Sequence, residues 1–112
     1  MHTPIRQEVL ENAVEVVALL RPIADAVARR DRELSSQLRR AASSVVLNIA
    51  EGFGSQAGNA RLRFESARGS LYETEAAVRV AMAWGYVSGD GTAEALRAID
   101  ALGGRVFGLA RR

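Results

Sequence analysis

The sequence predicts an all-α fold, an antiparallel up-down-up-down four-helix bundle. Four long segments place apolar residues at alternating steps of three and four. Short glycine-rich or polar stretches separate them, and neighbours joined by short loops must run antiparallel. Only two prolines occur, and no segment alternates at the period of two that a strand needs. Helices of about 20–25 residues would make a bundle about 30–38 Å long.

The first helix is expected from Thr3 or Pro4 to Arg30, with Ile5, Val9, Ala13, Val16, Leu20, Ile23 and Val27 inward. Glu8, Glu11 and Glu15 suit its start and Arg29 and Arg30 its end, as the helix dipole prefers. Pro22 lies inside the pattern, where it removes a backbone donor and crowds the preceding turn, so a kink or break is expected near residues 18–22. The second helix, Asp31 to Phe53, carries Leu34, Leu38, Ala41, Val45, Ile49 and Gly52 as its core stripe. Glycines 52, 54 and 58, with Ser55 and Asn59, mark the next turn. The third helix, from Asn59 or Ala60 to Gly85, repeats Ala60, Phe64, Ala67, Leu71, Thr74, Val78, Ala81 and Gly85 at heptad spacing, which suits left-handed bundle packing. "GYVSGDG" forms the last turn. The fourth helix, Thr92 to Ala110, turns Leu96, Ile99, Leu102 or Gly103, Val106 and Leu109 inward.

The 112 residues make one domain, 48% apolar and 25% charged, with no cysteine and so no disulfide, thiol chemistry or Cys-based metal site. The apolar runs fall short of the roughly 20 residues a bilayer requires. No basic segment followed by a long apolar stretch opens the chain, so no signal peptide is expected. A cytoplasmic protein without membrane contact is the expectation. Net charge is +2, and every basic residue is arginine. Arginine suits bidentate phosphate contacts, although a codon preference of the genome explains the absence of lysine at least as well.

The stretch "SSVVLNIAEGFG" (43–54) interrupts an apolar run with Asn48 and Glu51. A buried amide or carboxylate costs free energy unless it is partnered. Gln37, Arg40, Ser44, Leu47 and Glu51 recur along one stripe of the second helix, with Asn48 between this stripe and the core; Arg63, Ser66, Ser70, Glu73 and Ala77 do so along the third. Asn48 can bond to Ser70 or a carbonyl, and Glu51 can pair with Arg63 or receive loop amides near Gly54. An architectural network of Gln37, Arg40, Ser44, Asn48, Glu51, Ser70 and Glu73, setting register and assembly, explains the pattern better than catalysis. Val46, Ala50, Phe53, Ala76, Val80 and Trp84 widen the apolar surface beyond what one bundle buries, and the simplest partner is another copy of the chain.

Antiparallel order gathers Arg6, Arg61, Arg63, Arg68, Arg105, Arg111 and Arg112 at one end of the bundle, against Glu8, Glu11, Glu51 and Glu65. The other end holds Arg29, Arg30, Arg32, Arg39 and Arg40, diluted by Asp25, Asp31, Glu33, Asp90 and Glu94. The first end is the more basic, and repeated around a ring it could attract a phosphate backbone; a solvated helix end accounts for the charges equally well. No aromatic-rich surface is evident that would stack bases. No enzyme is expected. "GFGSQAG" lacks a preceding strand and a Gly-Lys-Ser/Thr ending. Glu51 and Glu73 sit at different depths with no Glu-x-x-His motif to complete a metal site. His2, the one histidine, lies at the chain start. Neither a metal nor a cofactor is expected.

"QLRRAASSVVLNIAEGFG" (37–54), "RFESARGSLYETEAAV" (63–78) and "GYV" (85–87) resemble the four-helix bundle proteins encoded in intervening sequences of bacterial 23S ribosomal RNA genes, over roughly residues 34–109. The first helix departs from that pattern: "LLRPIADAVARRDREL" stands where many members turn through Phe-Pro. The resemblance implies a four-helix bundle assembled as a homopentameric ring. It further implies a poorly defined role, with some distant relatives serving as nucleic-acid-binding accessories to a reverse transcriptase. The residues shared with the family fall on Gln37, Arg40, Ala41, Ser44, Asn48, Glu51, Gly52, Arg63, Phe64, Gly69, Ser70, Glu73 and Thr74. Two functions follow as expectations: a homo-oligomeric RNA- or DNA-binding accessory protein, or a structural scaffold or protein-interaction module without nucleic acid.

Overall fold

The computed structural model describes residues 5–111. Four helices, α1 (Ile5–Ala28), α2 (Arg32–Phe53), α3 (Ala57–Ala83) and α4 (Gly89–Ala110), form an antiparallel bundle with principal extents of 43 × 26 × 17 Å. Each helix packs on its sequence neighbours and α1 closes onto α4, with α2 and α3 sharing the most extensive interface. The core is aliphatic, with Val9, Val27, Leu38, Val45, Ile49, Val78, Ile99, Leu102 and Val106 almost wholly buried. These are the positions that the steps of three and four placed inward, because that spacing holds residues on one side of a 3.6-residue turn.

The helix ends differ from expectation for reasons visible in the caps. The expected starts at Thr3 or Pro4, and His2, lie outside the described residues. Arg29 and Arg30 form a tight turn after α1 instead of its last residues, with the Arg30 and Asp31 amides both bonded to the Val27 carbonyl. Asp31 is the N-cap of α2, and its carboxylate accepts from the Leu34 amide at 2.9 Å. α3 starts two residues before Asn59, at Ala57. It ends at Ala83 rather than at Gly85, which takes φ +79°, a conformation natural only to glycine. The Gly85 and Tyr86 amides bond back to Met82 and Ala81 at 2.9 Å each, a Schellman closure. α4 begins at Gly89 rather than Thr92, because Ser88 caps it by accepting from the Gly91 amide at 3.0 Å. Thr92 is then one turn inside, fully buried, with its hydroxyl bonded to the Gly89 carbonyl.

α1 continues through Pro22 without a break. Pro22 and Ala18 both face solvent, so the carbonyl that loses its amide partner can be hydrated. One glycine is dictated by packing. A Cβ on buried Gly52 would lie 2.5 Å from the Phe64 ring, which occupies that space and meets Phe53 edge-on. Among the described residues no buried side-chain nitrogen or oxygen lacks a partner. Ser35, for example, donates across to the Ala24 carbonyl at 2.8 Å and ties α2 to α1. Among the described residues no helix is long and apolar enough to cross a membrane.

Candidate nucleic-acid interface

The two helical stripes and the arginine-rich end adjoin, sharing the Glu51–Arg63 pair. The Ser44 and Ser70 hydroxyls meet at 2.9 Å between α2 and α3. Asn48 is half-buried and donates to the carbonyl and hydroxyl of Ser44, one turn back, at 2.9 and 3.0 Å, so it reaches Ser70 only through Ser44. Glu51 is not buried: its side chain is 59% exposed and lies 3.5 Å from Arg63. Two residues beyond core residue Ile49, it is rotated by about 200° around the helix, which carries it outward. Arg40 donates to Ser36 on its own helix at 3.3 Å, and Gln37 and Glu73 are exposed. Within one chain the seven stripe residues therefore form a short Asn48–Ser44–Ser70 chain of hydrogen bonds beside an open ion pair, not a single buried network. The open surface between α2 and α3 is lined by Arg40, Ser44, Leu47, Asn48, Glu51 and Arg63.

Overlapping these stripes, α2 and α3 carry exposed seams on their outer faces. Ser36, Arg40, Ser43, Leu47, Ala50 and Gly54 are all exposed, at steps of four and three. So are Leu62, Ser66, Gly69, Glu73, Ala76, Val80 and Ala83. Such spacing is what a supercoiled helix partner requires.

At the other site, the bundle topology brings the start of α1, the α2–α3 turn and the end of α4 together. Arg6 sits over the Phe53 ring, 5.8 Å from its centroid. Arg105 reaches from α4 to α1, donating to Glu8 at 2.8 Å and Asn12 at 2.7 Å. Arg61 and Arg63 are exposed in the first turns of α3. Arg68 donates to Glu65 at 2.9 Å and to the Tyr72 hydroxyl at 3.5 Å. These bonds, to Tyr72 first and Glu65 second, favour its charged form and raise its pKa. Arg112 lies outside the described residues. Carboxylates thus face Arg63, Arg68 and Arg105, whereas Arg6 and Arg111 lie over aromatic rings with no carboxylate partner among the described residues.

The sequence reading missed the aromatic component of this end. The Phe107 ring has Arg68 at 4.8 Å and Arg111 at 5.0 Å from its centroid, and Tyr72 lies beside Arg68. The signal was present as two pairs at i, i+4, Arg68–Tyr72 and Phe107–Arg111, which stack when α3 and α4 run antiparallel. Two exposed aromatic rings, Tyr72 and Phe107, therefore lie among the arginines.

Chemically this end offers guanidinium donors and aromatic faces. Among the described residues no group of three or more His, Cys, Asp or Glu is placed to hold a metal ion. No curated protein matches the chain. The model of the 23S rRNA-intervening sequence protein family matches residues 5–107, so the similarity placed on residues 34–109 extends through α1 despite its unusual "LLRPIADAVARRDREL". With that match over almost its whole length, and four antiparallel helices built as described, the chain belongs to the 23S rRNA-intervening sequence protein family.

Proposed function

We propose that the protein is a non-catalytic, homo-oligomeric, cytoplasmic accessory protein that binds RNA or DNA through the arginine-rich end of its bundle. The observation that carries this reading is the convergence there of Arg6, Arg61, Arg63, Arg68, Arg105 and Arg111 from three separated stretches of chain, with Arg6 and Arg111 held on aromatic rings rather than neutralised. Guanidinia held on aromatic faces remain available to phosphate oxygens. The family name, with its reference to 23S rRNA, supports RNA as the first ligand to test. The outer seams of α2 and α3 support assembly: small residues allow close approach, and each seam carries one charge of opposite sign, Arg40 and Glu73. An α2 seam of one copy on an α3 seam of the next is a heterologous contact, which closes into a ring when the rotation permits. Five copies, the number implied by the family resemblance, of a 12.0 kDa chain would weigh about 60 kDa.

The test is a titration of a structured 23S ribosomal RNA fragment at two salt concentrations. Binding should weaken steeply with salt, because each phosphate contact releases counterions. Replacing Arg61, Arg63, Arg111 and Arg112 together should weaken it while the helical circular dichroism spectrum is kept. No binding at low salt refutes the reading. Light scattering on the eluting protein tests assembly in the same preparation: a monomer at micromolar concentration refutes the oligomer, and Leu47→Glu should dissociate it.

The scaffold reading without nucleic acid draws on the ion pairs of Arg63, Arg68 and Arg105, which dilute the basic field. A co-purified protein partner, a reverse transcriptase for instance, whose association survives the four arginine substitutions would favour it.

A further inference from the structure

We propose that the groove between α3 and α4 is a single-strand site, in which one unpaired nucleobase stacks on Tyr72 beside Phe107 while its phosphate meets Arg68 and Arg111. This deepens the nucleic-acid reading and rests on it. The groove encloses about 420 Å³ and is lined by Arg68, Tyr72, Glu75, Asp100, Gly104 and Phe107, among others. That volume falls in the range of about 300–1,000 Å³ typical of small-ligand pockets.

Three features point to a planar, anionic occupant. First, the two aromatic rings are left in water, Tyr72 64% and Phe107 41% exposed, although both are large enough to favour burial. Second, Arg68 and Arg111 both stand over the Phe107 ring, and Arg68 is held in place by Glu65 and Tyr72 with its side chain only 25% exposed. A cation fixed in advance loses little side-chain entropy on binding. Third, packing does not call for the glycines of the groove. A Cβ on Gly104 would meet nothing within 4 Å, and one on Gly103 would meet only Leu71 at 3.6 Å, an ordinary contact. Glycine inside a helix is nonetheless unfavourable relative to alanine. Their effect is to leave the wall opposite Tyr72 without side chains, so that a flat ring can enter.

The groove also has a direction. Arg68 and Phe107 mark its basic end, with Arg111 just beyond it over the Phe107 ring at 5.0 Å; Glu75 and Asp100 mark the other, with Glu75 bonded to Arg79 at 2.9 Å. The carboxylates repel phosphate, so the phosphate sits toward Arg68 and Arg111 and the base toward Tyr72 and the glycines. A fully paired duplex cannot present a base face to this surface, whereas a single strand can.

The experiment measures fluorescence anisotropy of a labelled oligouridylate and of a labelled, fully paired RNA duplex at low salt, on the full chain. The variants are Tyr72→Ser and Gly104→Leu, each checked by circular dichroism. Stacking on one base is worth about 1–3 kcal/mol, so each variant should weaken oligouridylate binding by about 5- to 150-fold. Duplex affinity should stay unchanged. Equal losses on both ligands, or no loss on oligouridylate, overturn the single-strand site and leave the arginine-end reading standing. Failure of the wild-type chain to bind either ligand overturns both.

Discussion

The two flanks of α3 are built in opposite ways. Toward α2, small residues let the backbones approach: Ser44 meets Ser70 at 2.9 Å, and Gly52 yields its space to the Phe64 ring. Toward α4, Gly103 and Gly104 border an open groove with Tyr72 and Phe107 at its edges. Helical glycine thus has two meanings in one molecule, distinguished by what a Cβ would touch. At Gly52 the missing methyl completes a core; at Gly104 it keeps a surface clear.

The phenylalanines on the two flanks should give the largest contrast. Phe64 is 5% exposed, and Phe64→Ala removes a ring that fills the space beside Gly52. A loss of about 3–5 kcal/mol in urea unfolding is expected. Phe107→Ala, on a half-open surface, should cost about 1 kcal/mol or less. Similar losses for both would mean that the α3–α4 groove is packed core and would break the comparison.

The glycines should differ in sign. Alanine is favoured over glycine in a helix by about 1 kcal/mol. At Gly52 the added methyl must displace the Phe64 ring, at about 1–3 kcal/mol for overpacking, so Gly52→Ala should lower the melting temperature. In a Phe64→Leu background that penalty should shrink. Gly104→Ala, with nothing within 4 Å of the new methyl, should raise stability by about 0.5–1 kcal/mol. A destabilised Gly104→Ala variant would show that the glycine serves the fold and not the groove.

The core was readable because burial follows periodicity, a property of each helix taken alone. Val9 through Val27 and Leu38 through Ile49 needed no knowledge of neighbours. The position of Gly52 was readable too, but its reason was not, since that depends on which residue of α3 lies opposite. Arg68 and Arg111 were readable as part of the basic end, but Tyr72 and Phe107 beside them were not, for the same cause: the cluster exists only at one register of α3 against α4. The Glu51–Arg63 pair was readable, but its exposure was not, because the apolar run from Val45 to Ala50 does not show which way Glu51 points around α2. Pro22 looked like a break because the sequence does not show on which side of α1 the unpaired carbonyl falls.

Asn48 offers the smallest expected effect on the subunit and the most specific one on assembly. Among the described residues its amide bonds to Ser44 of its own helix alone, so Asn48→Leu costs no direct bond to Ser70. Leucine is the better helix former by a few tenths of a kcal/mol and adds apolar contact at this half-buried position, and together these offset much of the lost side-chain bonds. Subunit stability should therefore change by less than about 1 kcal/mol, read at fixed protein concentration because assembly would add to it. Half-buried beside the Leu47 and Arg40 surface, the same substitution places an apolar side chain where a polar one now limits how a second helix can approach. If Asn48 specifies assembly, light scattering on Asn48→Leu should show a mixture of sizes in place of one. One unchanged species with higher stability would reduce the α2 stripe to helix surface and place the shared importance of Ser44 and Ser70 inside the subunit, at the close approach of α2 to α3.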